Sequence, residues 1–127
     1  MGGGGGGALS AGGASSVADN LAKLKSDFPV TSSGYFGQAS PRGNVRLIVS
    51  DDPLAAAKKF FAIAAKNGKV TSSNKPGVML AKFKDGSIFV FRIKSHSDGS
   101  PAITVEIAGN FKGVKSSQKI HFVGKEK

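Results

Sequence analysis

The chain has 127 residues, a net charge of +10 and no cysteine. Its length corresponds to one domain at most, and the lack of cysteine excludes disulfides, thiolate zinc sites and a cysteine nucleophile. No apolar run is long enough to span a bilayer, so stable membrane insertion is not expected. Residues 1–41 carry two lysines and two aspartates, whereas residues 42–127 carry sixteen Lys and Arg against six Asp and Glu. This excess favours a polyanionic partner over simple solubility.

The N-terminal third of the chain predicts a leader followed by a short helix. Residues 1–16 are mostly Gly, Ala and Ser without periodicity. They cannot bury enough apolar surface to offset chain entropy, so a flexible leader is expected, and they lack the pattern of a signal peptide. Residues 17–43 begin with an apolar stripe of helical spacing and continue as a loop rich in Gly, Ser and Pro. This helix either docks on the core or belongs to a linker.

Residues 44–127 predict the compact domain. The run "NVRLIVS" at residues 44–50 is β-branched and apolar, which indicates a strand at a sheet edge or standing alone. A helix is predicted over residues 53–66, capped by one of the two preceding aspartates and started by Pro53. Asn67-Gly68 supplies the expected stop signal.

Beyond the helix, the apolar period changes from 3.6 to 2. The dipeptide Asp85-Gly86 separates two alternating runs, which is typical of a β-hairpin. The runs "AITVEIAG" and "QKIHFV" predict a third and a fourth strand. The sequence therefore predicts an α+β fold in which one or two N-terminal helices pack on one face of a four-stranded antiparallel sheet.

Strand alternation assigns the side chains of this sheet to two faces. Phe89, Phe91, Ile120 and Phe122 are expected to be buried on the helices. The open face then receives Arg92, Lys94, Lys119 and His121, with His96 just past the second strand.

Two imidazoles and several cations on one surface are suited to RNA cleavage without a metal. One base takes the proton of the 2′-hydroxyl, one acid protonates the leaving 5′-oxygen, and cations stabilise the phosphate. The candidate catalytic residues are His96, His121 and Lys119. The candidate substrate-binding residues are Arg92, Lys94, Ser95, Ser100 and Lys115.

Simpler interpretations stand beside these assignments. His96 fits an ordinary solvated turn, and Lys115 and Lys119 fit a solvated basic strand edge. The residue inventory favours neither a zinc site nor a two-metal nuclease, and no metal or cofactor is expected. A non-catalytic basic module that binds nucleic acid or a membrane surface stays open, as does a toxin activity of another kind, such as a transferase.

Three stretches resemble C-terminal toxin domains of bacterial polymorphic and contact-dependent growth inhibition systems. They are "NVRLIVSDDPLAAAKKFFAIAAKNGK", "KDGSIFVFRIKSHSDGSPAITVEI" and "VKSSQKIHFV", about two-thirds of the chain. The resemblance implies a fold like the barnase/EndoU/colicin/RelE group of small ribonucleases. It also implies that the substrate is RNA, with tRNA as the first candidate. Its motifs carry over to His96 with Ser95 and to Lys119 with His121, whereas the usual boundary motif of the toxin region is absent.

The resemblance also implies a setting for the domain. Such a domain is delivered from the cell surface or by secretion as the C-terminal part of a larger toxin, and it acts in the cytoplasm of the target cell. A cognate immunity protein neutralises it in the producing cell. Because the domain is strongly basic, we expect this immunity protein to be acidic and the domain itself to be a monomer.

Overall fold

A computed structural model describes residues 12–40, 45–94, 99–111 and 113–124. The two helices are α1, Ala14–Asp27, and α2, Pro53–Ala64. The strands are, in chain order, β1 (Gln38–Ala39), β2 (Val45–Ser50), β3 (Lys69–Ser72), β4 (Val78–Lys82), β5 (Ile88–Arg92), β6 (Ala102–Glu106) and β7 (Ser117–Gly124).

The strands form one mixed sheet in the order β1-β2-β7-β6-β5-β4-β3. Neighbours pair antiparallel except β2 and β7, which pair in parallel with Leu47 opposite His121. The α+β prediction is confirmed, and the four predicted strands are β4 to β7. The prediction of a four-stranded antiparallel sheet is wrong, because β1, β2 and β3 extend the sheet to seven strands and β2 pairs with β7 in parallel. The strand predicted over residues 44–50 is present as β2. It lies between β1 and β7, so the prediction that it is an edge strand or stands alone is wrong.

Helix α2 follows the predicted signals closely. The Asp52 side chain caps it by accepting a hydrogen bond from the Ala55 amide at 3.1 Å. Pro53 occupies the first turn, where the missing amide proton costs no hydrogen bond. The helix ends at Ala64, two residues before the predicted end, with Ala65 as its C-cap. Asn67 follows in the left-handed conformation, with a φ of 67°.

Helix α1 docks on the core. Its Val17, Leu21 and Leu24 are fully or almost fully buried. The chain after α1 brings Phe28 and Phe36 to within 5.1 Å of the Phe60 ring, measured between centroids. The hydrophobic core therefore contains residues from both sides of position 44.

Gln118 ties the segment after α1 to the sheet. Its Oε1 accepts from the Phe36 amide at 2.9 Å, and its Nε2 donates to the carbonyls of Gly34 and Lys115 at 2.9 and 3.1 Å. Gly34 and Phe36 are buried and belong to no named strand, so the Gln118 side chain supplies hydrogen bonds to their backbone groups. A polar residue on the helix side of β7 therefore serves the fold.

Candidate functional site

One face of the sheet carries no helix in the described part of the chain. The core side chains Phe89, Ile120 and Phe122 point toward the helices and are fully buried. Because side chains alternate along a strand, Arg92, Lys119 and His121 lie on the opposite face. The predicted choice of faces is therefore correct for these strands. We call this surface the open face.

The strand register brings three predicted site residues close together. Arg92 pairs with Ala102, and Ala102 pairs with His121, so these residues lie side by side on three neighbouring strands. Lys119 lies two residues before His121 on β7 and pairs with Thr104. The Cα atoms of Arg92 and His121 are therefore about 10 Å apart, two strand spacings.

His121 is buried, although it lies on the open face. Only 2% of its surface is exposed. Its strand is interior to the sheet, and the Ser100 hydroxyl oxygen lies 3.1 Å from its Nδ1. The Phe122 amide donates to the Pro101 carbonyl at 2.9 Å, which holds the segment before β6 against β7. The expectation that His121 meets solvent is therefore wrong. Strand alternation predicts the face of the sheet on which a side chain lies, but it does not predict which other residues cover that side chain.

The cations of the open face have no carboxylate partner within ion-pair distance in the described residues. The ion pairs found among the described residues join Lys23 and Lys59 to Asp27, and these three residues are on the helices. Arg92 is half-buried, and its Nη1 donates to the Thr104 hydroxyl at 3.3 Å. Lys119 is exposed. Glu106 also lies on this face, where its carboxylate accepts from the Ser117 hydroxyl at 3.0 Å, and no ion pair in the described residues joins it to Arg92 or Lys119.

The remaining candidates are dispersed. Lys94 is exposed and follows the Arg92 end of β5, whereas Lys115 is exposed and precedes the opposite end of the sheet, before Ser117. These two lysines are therefore not neighbours of one another. His96 and Ser95 lie outside the described residues.

Sequence reasoning overlooked Thr104, Lys69 and Lys82, which also lie on the open face. Thr104 is out of phase with the buried Ile103 and Val105 in "AITVEI", so the period-two pattern could have placed it. Lys69 required the register of β3, because it lies directly opposite Lys82.

Other site types find little support in the described residues. They contain no group of three His, Cys, Asp or Glu side chains placed to hold a metal ion. None of their helices is long and apolar enough to cross a membrane.

Comparison with protein-family models, curated proteins and solved structures finds no match to the chain.

Proposed function

We propose that this chain is an antibacterial toxin domain that cleaves RNA, with tRNA as its first candidate substrate, and without a metal ion. The observation that supports this most is the placement of His121, in contact with Ser100, on the same face as Arg92 and Lys119, which form no ion pair in the described residues. Imidazole and cations are the groups that this cleavage needs.

The proposed reaction is an attack of the ribose 2′-oxygen on the adjacent phosphorus. One histidine accepts the 2′-hydroxyl proton, and a second protonates the departing 5′-oxygen, so protons and bonds balance. Arg92 and Lys119 would carry the developing negative charge of the phosphate. His121 and His96 are the two candidate histidines.

The test is incubation of the purified protein with total RNA in the presence of EDTA, read on a gel. Discrete tRNA fragments are the expected result. Intact RNA under every buffer condition overturns the proposed ribonuclease. Fragments that disappear with EDTA overturn the metal-independent chemistry alone.

The burial of His121 favours a second candidate function, a basic module that binds nucleic acid without cutting it. A ring that is 2% exposed cannot reach an RNA backbone in this conformation. The open face would then bind phosphates through Arg92 and Lys119. RNA that shifts in a binding assay but stays intact would select this candidate.

The proposed partner in the producing cell is an acidic immunity protein. Carboxylates placed over Arg92, Lys94, Lys115 or Lys119 would block phosphate binding, and opposite charges speed the encounter. A neighbouring reading frame is expected to encode it, and association is expected to slow steeply as salt rises. A neutral partner with salt-independent association contradicts this part of the proposal.

A further inference from the structure

In the described part of the chain, strand β3 is a free edge of the sheet. It pairs with β4 on one side only. The Ser73 amide donates to the Val78 carbonyl at 2.9 Å, so these two residues form a hydrogen-bonded pair. Because such pairs alternate along an antiparallel ladder, the backbone amides and carbonyls of Val70 and Ser72 point outward. These groups form a template for a further strand.

An apolar corner lies beside this edge, on the helix side of the sheet. Val70, Met79 and Ile93 are 43%, 37% and 41% exposed, and they are three of the four large exposed hydrophobic residues in the described chain. A cavity of about 420 Å³, lined by residues 72–79 with Phe91 and Ile93, opens here. Ser72 pairs with Met79 on β4. If a further strand were added to β3, its side chain opposite Ser72 would pass over this small residue and contact Met79.

The opposite face of the same edge carries two lysines. Lys69 and Lys82 are directly paired across β3 and β4, and both are exposed. Like charges in this position repel. The described residues place no carboxylate within ion-pair distance of either one. An acidic side chain from an added strand would lie next to Lys69 and relieve the repulsion.

These features define the occupant. We infer that the β3 edge is a docking site for an extended, acidic segment of a partner protein, which adds an antiparallel eighth strand. Its two apolar residues, two apart, lie opposite Val70 and Ser72, where they contact Val70 and Met79. The acidic residue between them lies opposite Thr71, and the acidic residue that flanks the apolar pair lies opposite Lys69. A second copy of this chain fits less well, since its own β3 offers a lysine and no carboxylate, and each copy carries a charge of +10. The inference does not rest on RNA cleavage.

The test uses the full chain, labelled with ¹⁵N, and the synthetic peptide Ser-Glu-Val-Glu-Val-Glu-Ser. We expect saturable shifts of the Val70 and Ser72 amides, together with slower hydrogen exchange at both. The peptide with lysine in place of glutamate is expected to bind at least about tenfold more weakly, since it adds charge repulsion at Lys69. No RNA is present, so the outcome is separate from that of the cleavage assay.

Two matched peptides test the strand geometry without altering the protein. N-methylation at the valines removes the amides that would bond to β3, and at least about tenfold weaker binding is expected. N-methylation of the glutamate between the valines places the methyl group on the outer edge and should be tolerated. In the protein, Val70→Pro removes a backbone amide that points away from β4, and it leaves the hydrogen bonds between β3 and β4 in place.

Three results overturn the inference. The first is equal binding of both methylated peptides. The second is a set of shifts confined to Arg92 and Lys119, which would mean simple attraction to the cationic face. The third is no binding up to about 1 mM peptide, a free energy weaker than about 4 kcal/mol. A dimer of the free protein that Val70→Pro dissociates would assign the edge to a second copy instead.

Discussion

Ser100 and His121 are in direct contact, with the serine hydroxyl oxygen 3.1 Å from Nδ1 of the imidazole. A hydroxyl donates to an unprotonated nitrogen and accepts from a protonated one. The contact therefore orients the ring in either protonation state. Because Ser100 precedes β6 and His121 lies on β7, it also joins two segments that are distant in the sequence.

The first prediction concerns the histidines. His121→Ala and His96→Ala are each expected to lower RNA cleavage by roughly 10²-fold or more, because each removes a proton-transfer group. The wild-type activity is expected to have a bell-shaped pH dependence. Because His121 is buried, thermal unfolding is measured for both variants and for His121→Gln, which keeps a similar volume. Wild-type cleavage by both alanine variants would assign the histidines to the fold or to a solvated turn.

The second prediction concerns the cations of the open face. Lys119→Ala is expected to weaken RNA binding and to reduce the slope of log affinity against log salt by about one unit, because one phosphate contact is lost. Lys58→Ala is the matched control, an exposed lysine on α2. Equal effects of the two substitutions would indicate diffuse attraction without a defined binding face. Lys125→Ala, in the tail beyond the described residues, is likewise expected to have less effect than Lys119→Ala.

The third prediction concerns the buried amide of Gln118. Gln118→Ala leaves the Phe36 amide without its acceptor and leaves the Gly34 carbonyl with the Lys115 amide as its donor. An unsatisfied buried backbone group costs about 1–3 kcal/mol, so a loss of that size or more in the free energy of unfolding is expected. Urea denaturation measures it. Ser117→Ala, at an exposed neighbour, should change the stability far less. Equal stability of both variants contradicts the role of Gln118.

The fourth prediction concerns the N-terminal segment. A chain that begins at residue 44 lacks Val17, Leu21, Leu24 and Phe36, all buried in the core. We expect it not to unfold cooperatively, because the apolar face of α2 and the sheet would be open to water. Removal of residues 1–11 alone keeps every core residue of the described part of the chain and is expected to leave the unfolding temperature almost unchanged. Circular dichroism on heating distinguishes the two truncations. A cooperative transition in the shorter chain would make residues 44–127 a self-sufficient domain.

The fifth prediction concerns pH and the carboxyl group of Asp27. Burial alone would raise its pKa, but hydrogen bonds from Lys23 and Ser26 and the charges of Lys23 and Lys59 hold the pKa below its usual value of 3.8. A carboxyl whose pKa is lower in the folded state stabilises the fold above its unfolded pKa, and this contribution is lost as the pH falls through the folded value.

The measurement is the difference in unfolding temperature between wild type and Asp27→Asn. A small positive difference is expected at pH 7, because ion pairs this exposed to water contribute little. The difference should shrink as the pH falls below 3.8 and also as salt is raised. A difference that is constant from pH 7 to acid would mean that the charge of Asp27 plays no part.

Local signals in the sequence determined the elements that depend on short-range chemistry. Helix α2 required only an acidic cap, an early proline and an apolar stripe, and the chain forms it where these occur. The hairpin at Asp85-Gly86 likewise follows from turn geometry, since Gly86 has a φ of 96°. Period-two alternation was enough to assign Phe89, Phe91 and Phe122 to the core, because neighbouring side chains on a strand must point to opposite faces.

Tertiary structure alone decided the remainder. The parallel pairing of β2 with β7 joins segments about seventy residues apart, and no local pattern encodes such a partner. That pairing makes β7 an interior strand, and the Ser100 hydroxyl contacts a histidine that is only 2% exposed, although alternation alone would leave it in solvent. The pairing of Lys69 with Lys82 likewise depends on a register between strands. Alternation fixes the face of a side chain, whereas its exposure and its neighbours depend on the strands and loops packed against it.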